Sequence, residues 1–254
     1  MLRHRVIPVL LIKNGGLVKT TQFKSPVYLG DPINAVKIFN EKEVDELILL
    51  DITATNERKN PNYAKIKDIA SEAFMPVGYG GGITNIEQIG KLFNLGIEKI
   101  ILNTTAHINS SLIKVASKIF GNQSIVVAVD VKRNLLGRMN IYTHGGKVKQ
   151  KTNFVRFLKK VEEFGAGEVL INSIDNDGMM KGYDLDIIKT TCENLNIPVI
   201  SCGGAGTLHD IANAVKAGAS AVSAGSMFVF HGVHKAVLIS YPKYAELEEI
   251  LKID

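Results

Sequence analysis

Tryptophan is absent from the sequence, and only two cysteines occur, Cys192 and Cys202, at no spacing that suits a metal. Without tryptophan, and without a concentrated basic stripe, the chain lacks the usual means of gripping a nucleic acid. Two isolated thiols fit a reducing compartment, and the opening MLRHRV has no apolar stretch of the signal-peptide kind, so a cytoplasmic location is expected. The longest apolar run, near Val6 to Ile12, is far too short to span a bilayer. Neither nucleic acid nor membrane is therefore an expected partner. The six histidines find no carboxylate or cysteine to complete a ligand set, so no metal or other cofactor is expected either.

Charge of one sign is also in short supply. Thirty basic residues against 25 acidic ones leave a net charge of +5, a mild excess that reads as spread along the chain. It suits anionic small molecules better than a polyanion. No Pro/Ser-rich linker interrupts the 254 residues, of which 46% are apolar and 22% charged, values ordinary for a globular protein.

What is present is a rhythm. Short apolar runs recur near Val6–Ile12, Leu47–Leu50, Pro76–Val77, Ile100–Leu102, Ile125–Val129, Val169–Ile171, Pro198–Ile200 and Ala221–Ala224, with helical patterns such as IEQIGKLFNLG and DIANAVKAG between them. Continuous apolar strands alternating with helices imply a parallel sheet buried on both faces. Sliding the chain by 122 positions pairs Glu46 with Glu168, Pro76 with Pro198, Gly81 and Gly82 with Gly203 and Gly204, and Gly96 with Gly218. One unbroken offset from position 46 to 104 implies two joined half-barrels. The expected fold is a single (βα)8 TIM barrel over residues 1–254, with its chemistry in the loops after the strands.

Those loops repeat as well. GYGGGIT and SCGGAGT fall at the same offset, and 21 residues after Gly82 and Gly204 come Asn103–Thr104 and Gly225–Ser226, each at the start of a helix. Glycine admits close backbone approach, and the free N–H groups of a helix start attract an anion. Each half thus offers one phosphate cradle, which suits a ligand with a phosphate at each end. A lone Gly-Gly pair would be only a turn; two matched copies favour the cradle.

The segments LVKTTQF, DELILLDITA, GGGITNIEQ, NTTA, VVAVDVKR, GAGEVLINSIDNDGMMKGYD and SCGGAGT, in this order along essentially the whole chain, resemble HisF, the cyclase subunit of imidazole glycerol phosphate synthase. The resemblance implies a glutaminase partner of the HisH kind, whose ammonia travels through the barrel to a bisphosphorylated ribulosylamino substrate. It also implies two catalytic aspartates, ending the first and fifth strands. The fifth-strand residue is Asp130, but Leu11 stands where the first belongs. Leucine neither gives nor takes a proton, and each general acid or base contributes roughly 100- to 10,000-fold. Two further departures are Met179, at a family threonine, and Thr20, at a family glycine.

By the same resemblance Lys19 reaches a phosphate from a long loop suited to a mobile lid, and Asp177 and Gly178 belong to the ligand surface. Arg5, Glu46, Lys99 and Glu168 match a charged gate at the ammonia entrance, with a structural plug as the equal alternative, and Glu98 is a rim contact for the glutaminase. His144 falls in the turn of a small hairpin. RVIPVLLIKNGGLVKT and GDPINAVKIFNEKEVDELILLDITA are similar to a HisF-like branch that supplies ammonia to a separate sugar amidotransferase, which converts N-acetyl to acetamidino groups on bacterial surface sugars. An active cyclase and a non-catalytic phosphate-ligand sensor are the alternatives.

Overall fold

A computed structural model describes residues 4–232 and 234–251; both ends of the expected 1–254 domain and Val233 lie outside the described residues. The strands of the main sheet are β1 (Arg5–Lys13), β2 (Gly16–Thr21), β3 (Lys24–Gly30), β4 (Leu47–Asp51), β5 (Val77–Gly80), β6 (Lys99–Leu102), β7 (Ile125–Arg133), β8 (Met139–Thr143), β9 (Val148–Lys149), β10 (Glu168–Ser173), β11 (Val199–Cys202) and β12 (Ala221–Ala224), and a separate small hairpin pairs β13 (Phe230–His231) with β14 (Ala236–Val237). Between and after them come α1 (Pro32–Glu41), α2 (Tyr63–Glu72), α3 (Ile86–Asn94), α4 (Thr104–Ile108), α5 (Ser111–Phe120), α6 (Phe154–Glu163), α7 (Leu185–Asn194), α8 (Leu208–Lys216), α9 (Ser226–Val229) and α10 (Tyr244–Ile250). Eight strands pair in parallel in the order β10-β11-β12-β1-β4-β5-β6-β7, and the pairing of β7 with β10 closes the ring. This is a (βα)8 barrel.

Alternation along each strand builds two cores. Ile7 and Val9 of β1 point inward to join Ile48, Ile101, Val126 and Leu170 in the barrel interior. Val6, Leu10 and Ile12 point outward, into the layer between strands and helices. Full burial of one such side chain stabilises by about 1.5–3 kcal/mol, so both faces of the strands must be apolar, as their sequences are.

The duplication reaches the helix starts. Asn85 and Gln88 form a capping box on α3, and Thr207 and Asp210 form another on α8, each residue 122 positions from its counterpart. Each box satisfies free N–H groups at a helix start. The first strand of each half also carries an antiparallel extension: β2 and β3 on β1, β8 and β9 on β7.

Two expectations are corrected. The third strand runs from Val77 to Gly80 rather than over Pro76–Val77, because Gly78 and Gly80 act as strand residues that make room for neighbours. A Cβ at Gly80 would sit 2.9 Å from Leu50 Cδ2. The segment read as a mobile lid is instead the β2–β3 hairpin, tied down by Gln22 N–H donating to Asp177 O at 2.8 Å and Gln22 Nε2 donating to Asp175 O at 2.7 Å.

Candidate functional site

The carboxyl ends of the eight strands surround a cavity of about 550 Å³, lined from both halves of the barrel. Asp130, near the end of β7, lies in its wall and is buried. Asn103 Nδ2 donates to Asp130 Oδ2 and to Ala128 O, both at 3.1 Å. Burial first, and the Asp177 carboxylate second, push the Asp130 carboxyl up to about 7, against the opposing hydrogen bonds of Asn172 and Asn103. A carboxyl poised there can hold or release a proton near neutrality.

Beside it the first half reaches across to the second. Lys19 Nζ donates to Asp177 Oδ1 at 2.8 Å and to Thr20 O at 3.1 Å, and Thr20 Oγ1 donates to Asp177 Oδ2 at 3.3 Å. Lys19 is 6% exposed, so the lysine of the supposed lid is a buried ion-pair member rather than a solvated one. Gly178, with φ +73°, packs so close to Thr20 O that a Cβ there would clash with it.

Leu11 lines the same cavity. In the register between β1 and β4 it stands opposite Leu50; in the register between β7 and β10, Asp130 stands opposite Asn172. Leu50 and Asn172 are 122 positions apart, so Leu11 and Asp130 occupy equivalent places in the two halves. Where one half puts Asp130 and Asn172, the other puts two leucines packed onto the barrel interior. Asn172, with Oδ1 buried and unpartnered among the described residues, escaped notice in the sequence. The signal was there, since the offset of 122 leads to it from Leu50.

Gly82 and Gly204 both have positive φ, +70° and +122°. A Cβ on Gly82 would lie 2.5 Å from Lys59 O, and one on Gly204 would clash with Gly182 O. Backbone packing alone therefore requires both glycines. Asn103 and Gly225 stand immediately before α4 and α9 and give those helices no side-chain cap. Thr104 Oγ1 accepts from His144 N–H at 3.0 Å, while Ser226 Oγ is buried and unpartnered among the described residues. His144 lies in the turn between β8 and β9 and is half-buried. Asp51 orders its own loop, accepting at Oδ1 from Thr53 N, Thr53 Oγ1 and Ala54 N. Cys202 also lines the cavity, its thiol pushed up to about 12 by burial.

At the other end of the barrel the four charged residues form a closed ring. Arg5 donates to Glu46 Oε2 and, at 2.6 Å, to Glu168 Oε1; Lys99 Nζ donates to Glu46 Oε2 at 2.9 Å and to Glu168 Oε2 at 3.0 Å. Burial works against the Arg5 charge, but Glu168 and Glu46 outweigh it and raise its proton affinity. Glu168 uses both oxygens, whereas Glu46 Oε1 is buried without a partner among the described residues. Glu98 is exposed at the start of β6, outside this ring. Among the described residues no His, Cys, Asp and Glu cluster could hold a metal, and no helix is long and apolar enough to cross a membrane.

Residues 5–234 match the family described as histidine biosynthesis protein. A Pseudomonas aeruginosa protein with the provisional name of imidazole glycerol phosphate synthase subunit hisF2 is 48% identical over 98% of this chain and 99% of its own. A Vibrio vulnificus protein provisionally named as subunit hisF3 of the same synthase is 47% identical over 100% and 98%. The Petrotoga mobilis protein named imidazole glycerol phosphate synthase subunit HisF is 39% identical over 93% and 94%. With this fold, this mouth and these relatives, the chain belongs to the HisF family of histidine biosynthesis proteins.

Proposed function

We propose that this barrel receives ammonia from a HisH-like glutaminase and passes it on for acetamidino-sugar biosynthesis, rather than running a cyclase reaction of its own. The observation that carries this reading is Leu11, an aliphatic side chain at the place equivalent to Asp130. A reaction that needs an acid and a base on opposite sides of one mouth is left with one of them.

The remainder of the barrel suits a conduit. Its interior is lined by Ile7, Val9, Ile48, Ile101, Val126 and Leu170, through which neutral ammonia passes and ammonium does not, since an unpaired buried charge is strongly disfavoured. The Arg5–Glu46–Lys99–Glu168 ring guards the amino-terminal end, and Glu98 offers the glutaminase a rim contact. At the mouth, Gly82, Asn103 and Thr104 in one half, and Gly204, Gly225 and Ser226 in the other, remain phosphate cradles in this reading, with Lys19, Asp177 and Gly178 on the ligand surface. The acceptor is a separate sugar amidotransferase.

Co-expression with a HisH-like glutaminase, followed by assays of glutamine hydrolysis and ammonia transfer, tests the proposal. A complex that hydrolyses glutamine and delivers its nitrogen to the acceptor enzyme is expected. The purified barrel supplied with cyclase substrate and ammonium salt at alkaline pH is expected to give no imidazole glycerol phosphate. Turnover at the rate of an ordinary cyclase would reject the conduit in favour of histidine biosynthesis. Binding of a bisphosphorylated ligand with neither complex nor turnover would leave a sensor.

A further inference from the structure

The net charge of +5 conceals a segregation. Between Glu98 and Glu162 the sequence carries twelve lysines and arginines and a single acid, the buried Asp130; Glu162 and Glu163 then close the last turn of α6. The rest of the chain carries 18 basic and 24 acidic residues. The excess is not spread along the chain, as the composition led one to expect; one sector is strongly cationic and the remainder mildly anionic. That sector is continuous in space as well as in sequence. β6 pairs with β7, Ser117 Oγ on α5 donates to Phe164 O at the end of α6 at 3.4 Å, and His107 of α4 stacks on Phe157 of α6 at 3.7 Å.

Of the twelve cations, Lys99 belongs to the ring and Arg133 is held by Asp184 and Asp186. The other ten make no ion pair among the described residues. Nine of these are exposed: Lys114 and Lys118 on α5, Arg156, Lys159 and Lys160 on α6, and four more on the β7–β9 extension. Like charges gathered in one sector repel one another, and a counter-surface of opposite sign relieves that repulsion.

Aliphatic side chains are interleaved with these cations. Val115 and Ile119, 44% and 59% exposed, stand four residues apart on α5, each next to a lysine. Leu135 and Leu136 are fully and largely exposed at the β7–β8 turn. That turn is ordered, because Asn134 Oδ1 accepts from Leu136 N–H at 3.0 Å and Arg138 N–H at 2.9 Å.

The residue types select the counter-surface. The unpaired cations are eight lysines and two arginines. Protein interfaces favour arginine and aromatic residues and are depleted in lysine. No aromatic side chain of the stretch is exposed, which removes the stacking platforms that single-stranded nucleic acid uses. Flexible ammonium groups interleaved with aliphatic side chains match acidic lipid headgroups above an acyl layer. We propose that the α5–α6 wall and the β7–β9 extension dock this barrel sideways onto an anionic lipid bilayer. Docking by the wall leaves the charged ring at the far end open to partners and sets the membrane beside the rim of the mouth, which Gly145 and Lys147 of the extension help to line.

The test uses the full chain and vesicles of phosphatidylcholine, with and without about 30% phosphatidylglycerol. Co-sedimentation with the anionic vesicles alone, lost in high salt, is expected. Replacing Lys114, Lys118, Lys159 and Lys160 with Gln removes four contacts at roughly fivefold each, so partitioning falls by at least about a hundredfold. The same number of Gln substitutions at Lys24, Lys67, Lys181 and Lys189, outside the sector, changes it by less than about threefold. Leu135→Ser with Leu136→Ser weakens binding while preserving its salt dependence. Circular dichroism establishes that each variant is folded. The proposal is overturned if anionic vesicles fail to bind the wild-type chain at low salt, or if both lysine sets lose binding equally. Retention by duplex DNA or by an acidic protein, with none by vesicles, overturns it in favour of that partner.

Discussion

The two halves of this barrel share a scaffold and differ in chemistry. Both begin with a strand that carries an antiparallel extension, both cap the helix after their third strand with a box of the same design, and both place a glutamate in the ring at the amino-terminal end. At the mouth they part: Leu11 and Leu50 in one half, Asp130 and Asn172 in the other. A duplicated fold preserves what packing requires of both copies, while side chains that serve a reaction are free to diverge.

The most forceful way to break this comparison is to make the halves alike. Leu11→Asp combined with Leu50→Asn copies the Asp130–Asn172 pair into the first half. A second carboxylate at the mouth is expected to raise ammonia-dependent cyclase turnover by about a hundredfold or more over the wild-type chain, read as imidazole glycerol phosphate formed. No gain in a folded variant would mean that the mouth differs from a cyclase in more than one residue, with Thr20 and Met179 the next suspects.

At the ring each half supplies one glutamate, so removing a cation that both share injures both. Lys99→Met leaves Glu46 and Glu168 with Arg5 alone and is expected to cost on the order of 3–5 kcal/mol in urea denaturation. A folded population of this variant should still bind the glutaminase but deliver less glutamine-derived nitrogen. Normal delivery would identify the ring as a plug.

Asp130 provides an asymmetric probe. Its folded value of about 7 lies above the ordinary 3.8, so the native state binds its proton more tightly than the unfolded chain. The resulting stabilisation is complete below about pH 4 and is lost as pH rises through about 7. Asp130→Asn has no such proton, so its stability relative to wild type should improve from pH 4 to pH 8 by a few kcal/mol, about 3 in order of magnitude. A constant difference across that range would show that Asp130 is an ordinary carboxylate.

The smallest effects sharpen the comparison. Asn85→Ala and Thr207→Ala each remove the lead residue of a capping box and should each cost about 1 kcal/mol, read from denaturation midpoints. Values within a few tenths of each other are expected, since the two helix starts are built alike.

Much of this was legible in the sequence because it is periodic. Apolar runs placed seven of the eight barrel strands and touched only the first residue of the third, and the offset of 122 located both the ring glutamates and the matched glycines. Gly78 and Gly80 hid most of the third strand, since a strand that makes room for Leu50 and Ile101 looks like a turn. The β2–β3 hairpin was hidden for a related reason. Its order comes from long-range contacts of Lys19 and Gln22 with the loop after β10, and no local pattern reports a partner some 155 residues away. The cationic sector was visible in the sequence but lost in the total, because an acidic remainder cancels most of it.

The Lys19–Asp177 contact joins the hairpin of the first half to the acid of the second. With the hairpin seated, the carboxylate that pushes Asp130 upward is balanced by an ammonium group 2.8 Å away. One ion pair thus ties the seating of the first half's hairpin to the charge that surrounds the acid of the second.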